Sequence, residues 1–309
     1  MIKIKIDDNM KKFIQAEHMK DIQEKIKKYL LDDVKNISKY KKLHNYFIDP
    51  SGKVDEVKLR KLIIGNKSDL IEIIKIIDKI PLGKNDPFER LYTNFTKRRW
   101  SKSLLEKLNV RVCPYCNRQY TFTLRNDGIR PQFDHFFPKS LYSYLSVSLY
   151  NLIPSCGICN SKKHNLNTYE YDLYYPYEDE FGNNVVFQTT PINNDFLYWT
   201  GASNSFDISI ICKDDKQNKK VDYLNQYLKI ELLYNEHKDY VRDIIRNAVI
   251  YNDSRIDELL EQFPDLFQSK SAVLNSIFMS NIDKENWDKR PLSKLTHDIY
   301  EEFKIFSNK

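Results

Sequence analysis

Glycine is scarce in this chain, at 7 residues in 309, and cysteine is scarcer still, at 5. The low glycine content sits beside 21 tyrosines and heavy use of lysine, asparagine and isoleucine. That pattern reads as the codon bias of an AT-rich genome and carries no functional inference. No apolar run approaches the ~20 residues a bilayer-spanning helix needs, which excludes a transmembrane helix. The opening residues, MIKIKIDDNMKKF, hold no apolar h-region, which excludes a secretion signal. Internal repeats, low-complexity tracts and heptad arrays are missing too, so repeat and coiled-coil architectures drop out. The cysteines do not form a disulfide framework: four of the five fall in two Cys-x-x-Cys pairs, the mark of a metal site in a reducing compartment. The chain therefore reads as cytoplasmic.

What is present suits a globular fold. Hydrophobic residues make up 41% of the chain and charged ones 30%, over a length that allows one to three domains. The net charge of +6 is unevenly spread. Residues 1–110 hold 26 Lys/Arg against 16 Asp/Glu, residues 111–170 hold 7 against 3, and residues 171–309 hold 16 against 24. The basic side includes the cysteine region, as binding to a polyanion would require. Three regions follow: a basic, mainly helical stretch (1–108), a Cys/His-rich core (109–168), and an acidic stretch of short strands followed by helices (169–309). The fold class is α+β, mostly helical.

Apolar spacing places the elements. Residues 2–6 alternate and predict a short strand; 9–31 have helical spacing. Helices are expected over 57–64 and 68–80, the second capped by Ser68 or Asp69. Another is expected over 88–108, kinked near Trp100-Ser101. It carries Lys97-Arg98-Arg99, the densest basic cluster, a candidate phosphate-contacting face. Beyond residue 168, strands are expected over 185–189 and 205–212. Helices should follow over 221–251, with one break, and over 256–263, 270–279 and 291–306. That acidic third shows no catalytic motif.

The central stretch runs VCPYCNRQY (112–120), FDHFFPKS (133–140) and NLIPSCGICNSKKHN (151–165). Each Cys-x-x-Cys turn sets two sulfurs on one side of a tight bend, and two such turns complete a tetrahedron for Zn²⁺. Cys113, Cys116, Cys156 and Cys159 fill all four positions, so this metal is structural. A redox role would not explain two pairs, and no βαβ pattern surrounds them. Between the pairs, alternation over 119–124 and 129–133 flanks Asn126-Asp127-Gly128, a hairpin signal that would deliver Asp134 and His135 at the end of the returning strand. Residues 151–154 read as a second extended piece and 157–166 as a short helix carrying Asn160, Lys163 and His164.

These residue types suit phosphodiester hydrolysis. A base must take a proton from water, and a hard cation must neutralise the phosphate. His135 suits the base. Asp134 and the side-chain oxygen of Asn160 suit Mg²⁺ or Mn²⁺, with His164 one helical turn beyond Asn160 in reserve. Lys139 or Lys163 is placed to hold phosphate. Phe133, Phe136 and Phe137 read as core and wall.

In order and combination these motifs resemble the HNH endonuclease superfamily, in its His-Asn-Asn form, over residues 109–168. The resemblance implies a ββα-metal core stapled by the four-cysteine zinc site, His135 as general base, Asp134 and Asn160 as metal ligands, and Asn151 orienting the base-bearing loop. It also implies cleavage of DNA to 3′-hydroxyl and 5′-phosphate ends; RNA stays open as a target. The longer order, with Pro-Lys-Ser after Asp-His and a tyrosine-rich stretch before Asn-Leu, is similar to HNH subunits of Septu-type anti-phage systems, which implies an ATPase partner. The alternative is a non-catalytic, zinc-stapled module that binds nucleic acid or a partner.

Overall fold

Asp7 caps the first helix, α1 (Asp8–Lys28), by accepting the Met10 N–H, and a stripe of Ile14, Ile22 and Ile26 faces inward. The helix continues as a π-helical turn, Tyr29–Asp33. This computed structural model describes every residue except Asn36, 125–127 and 308–309. The chain divides into two units: one is Ile4–Val110 with Thr121–Tyr177, the other Met1–Lys3, Arg111–Tyr120 and Glu178–Lys309. The three regions drawn from sequence follow charge and motif, whereas these units follow contact.

In the first unit α1 is followed by α2 (Lys41–Phe47), α3 (Glu56–Ile64) and α4 (Lys67–Ile77). A capping box between Asn66 and Asp69 starts α4, so Asn66 and not Ser68 is the cap. Next come α5 (Pro87–Lys97) and α6 (Arg99–Leu108): the helix expected over 88–108 breaks at the extended Arg98, just ahead of the kink expected near Trp100-Ser101. Asp86 caps α5 and Pro87 opens it, with Phe88, Leu91 and Phe95 buried. Two four-residue strands, β1 (Gln132–His135) and β2 (Leu152–Ser155), pair antiparallel with Gln132 opposite Ser155 and His135 opposite Leu152. Helix α7 (Gly157–Lys163) follows and packs on β1.

Two sequence expectations change here. Residues 2–6 form no strand: the Ile2 N–H donates to the Pro114 carbonyl and the Ile4 N–H to that of Pro176, single bonds to irregular chain rather than a ladder. The hairpin is not the sheet either. Two residues of its expected turn, Asn126 and Asp127, lie outside the described residues. Residues 119–124 contribute one isolated bridge, Tyr120 with Val112, and one Leu124 N–H bond to the Ile129 carbonyl. The partner of β1 comes instead from 152–155, where β2 buries all four side chains and β1 buries Phe133, Asp134 and His135.

The other unit pairs β3 (Val185–Pro191) with β4 (Phe206–Cys212) and adds α8 (Asp215–Leu228), α9 (Ile230–Asn235), α10 (Lys238–Ile250), α11 (Asp253–Gln262), α12 (Lys270–Ile277) and α13 (Ser293–Ser307). The helix expected over 221–251 breaks twice, at Lys229, which takes a left-handed conformation, and again before Lys238. A two-stranded sheet leaves two open edges. Helix side chains cap both. Asp298 and Glu302 of α13 accept the Phe187 and Thr189 N–H groups of β3. Asn235 and Glu231 of α9 accept those of Ile208 and Ile210 on β4. No helix among the described residues is long and apolar enough to cross a membrane.

His18, to which the sequence assigns no role, is fully buried on α1. Its Nε2–H donates to the Val147 carbonyl at 2.8 Å and its Nδ1 accepts the Trp100 indole N–H at 3.1 Å. Burial pulls its pKa down to about 4. The folded value lies below the ordinary one, so the unfolded chain takes the proton more readily. The resulting stability is complete above about pH 6.5 and is lost as pH falls through about 4. The expected loss from this one group is about 3 kcal/mol. Urea midpoints measured between pH 7.5 and pH 4 should therefore fall more steeply for the wild type than for His18→Gln. Parallel curves would refute the assignment.

Candidate active site

β1 ends on Asp134 and His135, since Phe136 donates its N–H to Asn151 rather than to the ladder and Pro138 has none to give. His135 lies against the Ser146 carbonyl, 2.9 Å from Nε2. A carbonyl only accepts, so Nε2 carries the hydrogen and Nδ1 keeps its lone pair. The Tyr92 ring on α5 packs edge-on against the imidazole, centroids 4.6 Å apart. Burial pushes the His135 pKa down to about 3, helped by the charges of Lys139 and Lys163 and opposed by the Ser146 carbonyl. At neutral pH this imidazole is a neutral base. Its carbonyl partner is gripped on both sides: Ser146 donates its hydroxyl to the Phe88 carbonyl, and Val147 accepts from His18.

Asn151 is fully buried and binds backbone only. Its Oδ1 accepts the Phe137 N–H at 2.7 Å, and its Nδ2 donates to the carbonyls of Phe137 and Leu145 at 3.1 and 3.0 Å. One side chain thus ties the segment just after His135 to the residue just before Ser146. Truncating it leaves several buried backbone groups unpaired at about 1–3 kcal/mol each. Asn151→Ala is expected to lose about 3 kcal/mol in urea denaturation. A loss below ~1 kcal/mol would contradict this role.

A cavity of about 390 Å³ brings together Asp134, His135, Lys139, Asn160 and His164. Asn160 donates its Nδ2 to the Gln132 Oε1 at 2.6 Å, and its Oδ1 has no hydrogen-bond partner among the described residues. His164 ends α7 with a left-handed φ of 43°, exposed, its Nε2 3.3 Å from the Asn165 amide nitrogen. Lys139 is held by both oxygens of Glu89 at 2.8 Å and lies over the Tyr92 ring.

Lys163, expected to be open to phosphate, is not. Its ammonium is buried, pairs with Asp134 at 3.2 Å and donates to the His135 carbonyl at 2.6 Å. Burial pushes its pKa down, against the pull of Asp134. It serves as an internal counter-ion. The basic cluster is also changed. Arg98 turns inward to pair with Asp21 at 2.9 Å on α1, whereas Lys97 and Arg99 stay exposed, and none of the three lines the cavity. Phe133, Phe136 and Phe137 are buried, as expected.

The cysteines converge. Cys113, Cys116, Cys156 and Cys159 are buried, none is in a disulfide, and their sulfurs lie within 4.8 Å of one another. Zn–S bonds of about 2.3 Å in a tetrahedron put sulfurs roughly 3.8 Å apart, so the set fits a zinc ion with small adjustment. Backbone N–H groups already point at two of the sulfurs: Arg118 N–H at Cys116 and Cys159 N–H at Cys156, both 3.4 Å. Asn117, left-handed at φ 49°, makes the first tight bend, a conformation asparagine tolerates. Apart from these sulfurs, no three His, Cys, Asp or Glu ligand atoms gather among the described residues. The oxygen donors beside His135 are one carboxylate and one amide.

Sequence reasoning missed four contributors. Gln132 carried a signal, lying two residues before Asp134 and so on the same strand face. Tyr92 and Glu89 are ordinary members of an amphipathic helix, and Ser146 contributes a backbone carbonyl, which no residue type reveals. Compared with models of protein families, with curated proteins and with solved structures, the chain matches none; the chemistry of the site rests on its own residues.

Proposed function

We propose that the chain is a metal-dependent endonuclease hydrolysing DNA phosphodiester bonds, with β1, β2 and α7 as an HNH-type ββα-metal core. One observation carries this reading: His135 is locked in the tautomer that leaves Nδ1 as acceptor, in a polar cavity shared with Asp134, Lys139 and Asn160. His135 Nδ1 takes the proton of the attacking water. Asn151 ties the backbone just after the base to the segment that carries Ser146, and Ser146 holds the tautomer. An approaching phosphodiester brings negative charge, which raises the imidazole pKa and strengthens it as a base. Asp134 and the Asn160 Oδ1 would hold Mg²⁺ or Mn²⁺, with His164 as an alternative ligand. When bound, such an ion supplies the positive charge that the scissile phosphate and leaving oxygen need. The 3′ oxygen leaves, giving 3′-hydroxyl and 5′-phosphate ends. The four cysteines hold a structural zinc ion.

The motif order extends the proposal to anti-phage defence beside an ATPase subunit, which co-purification from the native operon would test. One observation favours the alternative of a non-catalytic binding module: Lys163 already neutralises Asp134. The two readings separate on supercoiled plasmid incubated with Mg²⁺ or Mn²⁺. The nuclease nicks or linearises it. Salt-dependent binding without cutting under either metal, alone or with the co-purified partner, would establish the module instead.

A further inference from the structure

Beside the His135 cavity lies a second, of about 400 Å³, lined by Tyr92, Thr96, Arg130, Gln132, Phe133 and Asn160. Tyr92, Phe133 and Asn160 line both, so the two form neighbouring compartments with a common wall. Their cations differ. In the first, Lys139 is held by Glu89. In the second, Arg130 is half-exposed and has no carboxylate partner and no hydrogen bond among the described residues. Arg130 lines this compartment together with Tyr92, a residue of the shared wall.

A planar guanidinium without a carboxylate, at the rim of a polar cavity, matches the paired oxygens of a phosphate. Two further donors face the same space. The Tyr92 hydroxyl makes no hydrogen bond among the described residues, and the Gln132 side chain uses only its carbonyl oxygen, on Asn160. The compartment therefore offers donors to an anion, and no carboxylate is among the described residues that line it.

We infer that this second compartment is the subsite for the nucleotide next to the scissile bond, with Arg130 binding the flanking phosphate and Tyr92 and Gln132 as supporting donors. The inference rests on the proposed endonuclease activity of the adjoining cavity. Arg130 would set the register of the strand across His135, so its loss should act on binding rather than on the chemical step.

The test measures anisotropy of a fluorescent DNA duplex with full-length His135→Ala protein, which removes turnover, with and without Arg130→Ala, across a salt series. Losing Arg130 should weaken binding about tenfold and lower the salt slope by about one, as expected for one phosphate contact. Arg130→Lys should restore the slope but only part of the affinity, because it keeps the charge and loses the fork. In the otherwise wild-type enzyme, Arg130→Ala should raise KM and leave kcat nearly unchanged. Equal affinities and slopes with and without Arg130, in proteins of equal melting temperature, would overturn the subsite while plasmid cleavage by the wild type leaves the nuclease standing. Arg130-dependent binding by a wild type that cuts nothing would overturn the nuclease, and with it the place beside a scissile bond, and leave Arg130 as a phosphate contact alone. Absence of any duplex binding would overturn both.

Discussion

His135→Ala is expected to lower plasmid cleavage by about 10²–10⁴-fold, the usual contribution of a positioned general base. The structure makes this substitution informative because the imidazole is constrained on every side. Its Nε2–H is committed to the Ser146 carbonyl and its ring packs against Tyr92, so Nδ1 is the one atom left to take a proton. Alanine removes that atom and opens space beneath Tyr92, which added imidazole can enter. Partial rescue by imidazole, rising with the fraction of neutral imidazole, would identify proton transfer as the lost function. A variant that cuts at the wild-type rate with unchanged metal dependence would remove His135 from the mechanism. Melting curves complete the comparison, since a buried imidazole also contributes packing.

The second large effect concerns the four-cysteine cluster, the proposed zinc site. Four buried sulfurs within 4.8 Å of one another cannot all be thiolates unless a cation offsets their repulsion. A zinc ion held there, as proposed, would supply that charge, and in small zinc-binding peptides its binding free energy is about 10–16 kcal/mol. Cys113→Ser replaces one thiolate with a hydroxyl that ligates zinc poorly and leaves three sulfurs crowded around an incomplete site. Metal analysis should show the bound zinc falling from one per chain towards zero. The melting temperature should drop by at least ~10 °C, since each kcal/mol shifts a domain of this size by roughly 2–4 °C. Cys156→Ser should do the same, because the second pair closes the tetrahedron. Cys212→Ser should leave both readouts alone: that thiol ends β4 and donates to the Asp214 carbonyl, outside the cluster. Unchanged zinc content and melting in Cys113→Ser would contradict the metal assignment.

The same distinction between local and distant causes explains what could be read in advance. Helix positions follow from apolar spacing and caps a few residues apart, which is why α3, α4, α5 and α6 fall close to where periodicity puts them. The placement of Asp134 and His135 at a strand end was legible for the same reason, with Pro138 close behind. The partner of β1 was not. A hairpin signal favours the nearest returning strand, whereas burial on both strands selected residues 152–155, which carry no turn signal at all.

The sequence by itself determined two pairs of sulfurs, because a Cys-x-x-Cys bend places two ligands whatever surrounds it; the fold brought the two pairs together. The sequence also determined that a histidine, a carboxylate and an amide oxygen would sit close to those cysteines along the chain. Only the tertiary structure decided their states. Lys163 meets Asp134 from 29 positions away and Arg98 meets Asp21 from 77, so whether each cation faces phosphate or a carboxylate depends on burial that no local window contains. The tautomer of His135 was likewise settled by a backbone carbonyl that any residue at position 146 would carry, aimed by the fold and not by the side chain.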